Sequence, residues 1–214
     1  MNGGIISIYT MYGACTMKER WKGSVLLAPL PAVLVSCGNG DNKNIFTVAW
    51  TGIVCSHPPK TYISVRKERH SYSIIKESGI FVINLPSSTL AKETDFCGVK
   101  SGREVDKFAE TGLTAEPCFD IDTVAVKECP VSLECKVTDI IPLGSHDMFL
   151  ADIVSVAVDD EYLVDGKLCL DKCKLFAYSH GEYYELGKKL GSFGYSVMKK
   201  STRKKQAAKA KGKK

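Results

Sequence analysis

The amino-acid sequence predicts a mainly β protein: a closed or split antiparallel barrel with a few short helices on its periphery. Six or seven short apolar or alternating runs follow one another at close spacing, as in all-β barrels. Three short helical stretches cluster between residues 71 and 111. No strand–helix–strand alternation accompanies them, which argues against a parallel α/β sheet.

The first apolar run, Ala32–Cys37, ends in Gly38-Asn39-Gly40-Asp41-Asn42, a strand followed by a turn. Residues 44–55 are again rich in β-branched and aromatic side chains, and Ser56-His57-Pro58-Pro59 interrupts them because proline donates no ladder hydrogen bond. In the next run Thr61, Ile63 and Val65 share one face, and Tyr62, Ser64 and Arg66 the other. Ser71–Ser78 reads as a helix with Ser71 as its cap and Gly79 as its stop. Ile80–Leu85 is an apolar strand. Pro86-Ser87-Ser88 opens a second helix toward Cys97, and residues 106–111 form a third that Gly112 ends. Val131, Leu133, Cys135 and Val137 alternate with Ser132, Glu134, Lys136 and Thr138, the pattern of a half-buried antiparallel strand. After the turn at 142–147, Phe149–Val158 pairs with it as a hairpin, and Leu175–Tyr178 adds one more short strand.

The 214 residues, 44% hydrophobic and 25% charged, suit one globular domain. We place it at residues 23–197, between an N-terminal extension (1–22) and a disordered basic tail (198–214). Met17, followed by Lys-Glu-Arg-Trp-Lys, reads as a natural translation start. The net charge of +5 belongs to the tail: residues 199–214 hold nine Lys or Arg and no Asp or Glu, which leaves the body mildly acidic. The tail would attract phosphates nonspecifically and with strong salt dependence. It has no aromatic residue for base stacking, so no specific nucleic-acid partner is expected. No apolar run is long enough to span a bilayer. Nine cysteines, an odd and scattered set, fit free thiols in a reducing cytoplasm better than a disulfide framework.

Several chemistries lack their motifs. The sequence has no GxxxxGK[ST] loop, no GxSxG and no HExxH, and Gly38-Asn39-Gly40 lacks the third glycine of a dinucleotide fingerprint. Cys169 and Cys173 near His180, and Cys129 with Cys135, are too loosely spaced for a structural zinc site, so no metal is expected. The segment Arg66-Lys67-Glu68-Arg69-His70-Ser71-Tyr72 is more informative. It places basic groups and a hydroxyl where a strand gives way to a helix N-terminus, which is chemically an anion site. It reads equally as a solvated basic turn with a plain serine cap.

The preceding run, Thr47-Val48-Ala49-Trp50-Thr51-Gly52-Ile53-Val54-Cys55-Ser56-His57-Pro58-Pro59, resembles the first signature of the flavin reductase-like family of FMN-binding split barrels. Further stretches resemble the same family in the same order: Phe81–Pro86, Cys97-Gly98 with Ser101-Gly102-Arg103 and Asp106-Lys107-Phe108, Leu143–Phe149 and Leu190–Tyr195. Together they span most of residues 25–197, and flavoredoxin-like proteins are the subgroup they resemble best. The resemblance implies an antiparallel split β-barrel of Greek-key type that binds FMN noncovalently. It implies that Thr47, Ala49, Trp50, Thr51, Cys55 and Ser56 border the isoalloxazine, although Trp50 and Cys55 read equally as core. It gives the phosphate to Arg66, His70 and Ser71, with Arg69 a weaker candidate. Lys100, Ser101 and Arg103 would close the site, from the partner subunit of a homodimer, or else form a mobile polar loop. His146 would approach the flavin or the nicotinamide, or remain an exposed turn residue. The implied reaction is hydride transfer from NADH or NADPH to FMN, with no obligatory catalytic acid or base in the protein. The alternative is an FMN electron carrier that serves a redox protein partner without efficient NAD(P)H activity.

Overall fold

A computed structural model of the chain describes residues 18–199. The expectations for the translation start, for residues 1–16 and for the tail from residue 200 onward lie outside the described residues. Residues 18–29 contribute no strand or helix.

Strands β1 (Leu30–Pro31), β2 (Val33–Cys37), β3 (Asn44–Val48), β4 (Thr51–Ser56) and β5 (Pro59–Val65) precede helix α1 (His70–Ser78). Strand β6 (Ile80–Leu85) leads into helices α2 (Ala91–Val99) and α3 (Lys107–Thr111). The short strands β7 (Ala115–Pro117) and β8 (Val124–Val126) follow, then the two twelve-residue strands β9 (Val131–Pro142) and β10 (Asp147–Val158). Two small hairpins follow, β11 (Leu163–Val164) with β12 (Lys167–Leu168) and β13 (Phe176–Ser179) with β14 (Glu182–Glu185).

Seven strands form one antiparallel sheet in the order β3-β2-β6-β9-β10-β5-β4. Its two edge strands, β3 and β4, are consecutive in the chain and joined through Ala49 and Trp50, and among the described residues no ladder pairs them. The sheet is therefore a split barrel. The Ser64 N–H donates to the Trp50 carbonyl at 2.9 Å and holds the connection against β5.

Side-chain alternation explains where each strand lies. Val33, Val35, Phe46, Val48, Ile63, Val65, Phe81 and Phe149 fill one core. The opposite faces of β2 and β3 send Leu34 and Ile45 into a second cluster with Cys97, Phe108 and Val126, beneath α2, α3 and β8. Burial on both faces is why the first run is apolar apart from Ser36, which is itself buried and donates to the Val124 carbonyl. On β5, Thr61, Ile63 and Val65 are buried as the alternation predicts.

Two expectations need correction. Strand β9 is not half-buried along its first half, because Ser132 and Glu134 are 4% and 1% exposed. The Glu134 carboxylate accepts the backbone N–H groups of Phe119 and Asp120, both at 2.8 Å, and such paired donors make a buried carboxylate tolerable. Ser71 is not the cap of α1. Arg69 occupies that position without a side-chain capping bond, while the buried Ser71 Oγ accepts from Asn44 Nδ2 at 2.7 Å. By contrast α3 stops at Gly112 as its sequence suggests, and the structure adds Asp106 as its cap. Asp106 accepts from the Phe108 and Ala109 amides at 3.0 and 3.2 Å, and Gly112 closes the helix at φ +70°. Asp106→Ala is expected to cost about 1 kcal/mol, seen as a fall of roughly 2–4 °C in melting temperature.

Candidate functional site

Two cavities adjoin where β3, the β5–α1 turn and α2 meet. One encloses about 350 Å³ and the other about 360 Å³, and Phe46, Arg66 and Arg69 line both. The first is an open cleft. Thr47, Ala49 and Trp50 form one side of it, and Ser64 and Val65 another. Gly98 and Val99 of α2, His146 of the β9–β10 turn, and Tyr178 and Tyr183 of the β13–β14 hairpin complete its rim. The Thr47 hydroxyl donates to the Thr94 carbonyl, which ties β3 to α2. A Cβ at Gly98 would stand 3.2 Å from Thr47 Cβ, so a residue without a side chain permits this approach.

Trp50 and His146, both in the lining of the cleft, pack against each other with ring centroids 4.5 Å apart and planes inclined by 35°. Partial burial and the guanidinium charges of Arg66 and Arg69 hold the His146 imidazole below its ordinary pKa, against an opposing pull from Glu68. The shift favours the neutral ring, which can donate or accept a hydrogen bond.

The second cavity is cationic. Arg66, Arg69, Lys100 and Lys107 line it against a single carboxylate, Glu68, which pairs with Arg66 at 3.3 Å. His70 and Ser71, the first two residues of α1, lie on its wall, where first-turn amides have no acceptor within their own helix. Burial and the charges of Arg103 and Lys107 lower the His70 pKa. Ser101 and Gly102 close the other side. A Cβ on Gly102 would lie 2.4 Å from Asn44 Oδ1 and 2.7 Å from His70 Cδ2, so the loop passes directly over both side chains.

The structure thus brings together Thr47, Ala49, Trp50 and His146 in the cleft, and Arg66, Arg69, His70, Ser71, Lys100 and Ser101 in the cationic cavity. Lys100 and Ser101 reach it from the same chain as Arg66. Arg103 stands outside, donating to the Glu68 carbonyl at 2.8 Å and so bracing the turn. Thr51, Cys55 and Ser56 line neither cavity. The Thr51 hydroxyl donates to the Tyr62 carbonyl, and Ser56 sits at the β4–β5 turn, with its Oγ 3.1 Å from His57 Nδ1. Sequence reasoning passed over Asn44, Phe46 and Lys107, and the aromatic rim at Tyr178 and Tyr183. Asn44 and Phe46 share a face of β3 with Val48, opposite Thr47, so alternation from Thr47 does not point to them.

Among the described residues no group of three or more His, Cys, Asp or Glu side chains is placed to hold a metal. No helix is long and apolar enough to cross a membrane among these residues. The eight described cysteines are free thiols.

The split antiparallel barrel thus carries a cleft of mixed polarity beside a cationic cavity. Residues 26–187 match the flavin reductase like domain, and the chain belongs to that family. It superposes on the flavoredoxin of Desulfovibrio vulgaris (Miyazaki F) with a TM-score of 0.79 at 34% identity, over 85% of this chain and 100% of that one. For the flavoredoxin of Methanosarcina acetivorans the TM-score is 0.78 at 26% identity, over 86% and 100%. A curated relative, the NADPH-flavin oxidoreductase of Streptomyces viridifaciens, is 24% identical over 62% of this chain and 69% of its own length.

Proposed function

We propose that this chain is an FMN-binding oxidoreductase, with the phosphate of a noncovalently held FMN in the cationic cavity and the isoalloxazine in the adjoining cleft. The observation that carries the reading is the continuity of the two cavities through Phe46, Arg66 and Arg69. The donor set fits the group. Guanidinium, ammonium, hydroxyl and helix-terminal amides suit a phosphate, and Trp50, Phe46 and backbone edges suit a flat heteroaromatic ring. Bound FMN supplies hydride and electron chemistry, and the chain binds it, orients it and limits water around it. Arg66 and Arg69 fix its anionic end, and His146 offers a hydrogen-bonding group in the cleft.

NADH or NADPH is the reductant in this reading, supported by the NADPH-flavin oxidoreductase relative. We further propose a homodimer working in the cytoplasm, with residues 23–197 as the flavin-binding domain. A second reading, an electron carrier for a redox protein partner with little NAD(P)H activity, is favoured by the likeness to two flavoredoxins. Anaerobic addition of NADH, then NADPH, to the FMN-loaded protein separates the readings. Rapid bleaching of the oxidised flavin bands supports a reductase and names its donor, whereas bleaching only by dithionite supports the carrier.

Gly102→Ala tests the loop over the phosphate position. The added methyl must displace the Asn44 amide or the His70 ring, and overpacking of this kind costs about 1–3 kcal/mol. FMN affinity, read by fluorescence titration, is expected to fall roughly tenfold or more.

A further inference from the structure

Asp147, the first residue of β10, is 3% exposed and lines neither cavity. It shares a face of the strand with Phe149 and Ala151, both fully buried, so packing alone would be served by an apolar side chain. A carboxylate stands there instead, with its hydrogen bonds incomplete. Its Oδ2 accepts from the Tyr72 hydroxyl at 2.5 Å, whereas its Oδ1 is buried without a hydrogen bond among the described residues. Lys67 Nζ, 3.5 Å from Oδ1, supplies the opposite charge that offsets this burial. Glu134, the other buried carboxylate of the described residues, has both oxygens met by loop amides.

The partners of Asp147 belong to the elements that form the site. Lys67 stands in the β5–α1 turn between Arg66 and Glu68, which line the cationic cavity. Tyr72 follows His70 and Ser71 on α1. Asp147 itself follows His146 directly. Successive residues of an extended chain face opposite ways, so His146 reaches the cleft while Asp147 faces inward. The Leu143 N–H donates to the His146 carbonyl at 2.9 Å and closes the β9–β10 turn. In the ladder Asp147 pairs with Val65, the residue before Arg66. One buried side chain thus joins the turn that carries the basic groups to the turn that carries His146.

We propose that Asp147 is a positioning residue: by holding Lys67 and Tyr72 it sets the spacing between the basic β5–α1 turn and the Trp50–His146 pair, so that a ligand spanning both cavities meets both ends at once. The role rests on the FMN reading and deepens it. Joining two binding groups in one molecule strengthens binding only when the geometry lets both engage together. The spacing therefore matters for FMN, which carries a ring and a phosphate. It does not matter for riboflavin or inorganic phosphate, each of which needs one cavity. A residue that only stabilises the fold would affect all three ligands alike or none of them.

The test measures the affinity of the full flavin-free chain and two variants for FMN and riboflavin by fluorescence titration, and for inorganic phosphate by isothermal titration. Circular dichroism checks folding. Asp147→Asn keeps an acceptor for the Tyr72 hydroxyl and removes the charge opposite Lys67. Lys67→Met breaks the same ion pair from a side chain that is 57% exposed, which covers the case in which the Asn variant fails to fold. In either folded variant FMN affinity is expected to fall about tenfold or more, while riboflavin and phosphate affinities each change by less than about threefold. FMN affinity within about twofold of wild type in a folded variant, or riboflavin and phosphate affinities that fall in step with it, would overturn the positioning role alone. A wild-type chain that binds neither flavin would overturn the FMN reading and this role with it.

Discussion

Replacing Arg66 and Arg69 together by alanine is expected to weaken FMN binding by between about 100-fold and 10,000-fold, because charge-assisted hydrogen bonds contribute roughly 1.5–3 kcal/mol each. Both guanidiniums line both cavities. Arg69 Nη1 is already held by the Gly98 carbonyl at 3.0 Å, which sets its direction before any ligand arrives. Both residues are exposed, and exposed substitutions change stability by only about 0.5 kcal/mol. The fold should therefore survive with a nearly unchanged melting temperature. Isothermal titration of FMN into the flavin-free double variant checks the size of the loss. Affinity within a factor of three of wild type would remove the phosphate from this cavity.

The largest stability effect is expected at a residue far from both cavities. Asn84 is fully buried between β2, β8 and β9. Its Nδ2 donates to the Leu34 carbonyl at 3.0 Å and to Ser36 Oγ at 2.9 Å, while its Oδ1 accepts from the Val126 N–H at 3.0 Å and the Ser132 hydroxyl at 2.8 Å. Ser36 Oγ extends the network to the Val124 carbonyl at 2.6 Å. One amide thus fastens β8 to the outside of the barrel. Asn84→Leu has nearly the right volume and no polar atom, so it leaves buried donors and acceptors unpaired at about 1–3 kcal/mol each. We expect a total loss of roughly 3–5 kcal/mol and a fall of about 10 °C in melting temperature. Thermal denaturation followed by circular dichroism measures it, and a fall of less than about 3 °C would show that the network adds little.

The contrast between Asn84 and the strands around it shows where sequence reading succeeds. The period-two pattern of β5, the apolar run of β6 and the Gly112 stop of α3 are local signals, and the structure places these elements as the patterns indicate. The polar groups behave otherwise. Glu134 looks solvent-facing because it alternates with Leu133 and Cys135, but its carboxylate is satisfied by amides of the 119–120 loop, which alternation does not register. Ser71 looks like a cap because of its place before an apolar helix, yet its partner is Asn44, 27 residues earlier. The site divides along the same line. The basic run at 66–71 is visible as an anion site because its members are contiguous. Lys107, Phe46 and Tyr183 join it only through the closing of the sheet and the packing of α3 and the last hairpin around it. Cys55 and Ser56 were drawn in by the family resemblance of residues 47–59, but the β4–β5 turn carries them beyond both cavities of this chain.

The central claim is that the joined cavities hold FMN, and a fluorescence titration of FMN with the flavin-free chain tests it most directly. The account predicts saturable quenching with one flavin per chain in the wild type, and strong weakening when Arg66 and Arg69 are replaced. Flavin fluorescence that stays unchanged across the titration, or saturates equally well in the double variant, would contradict it.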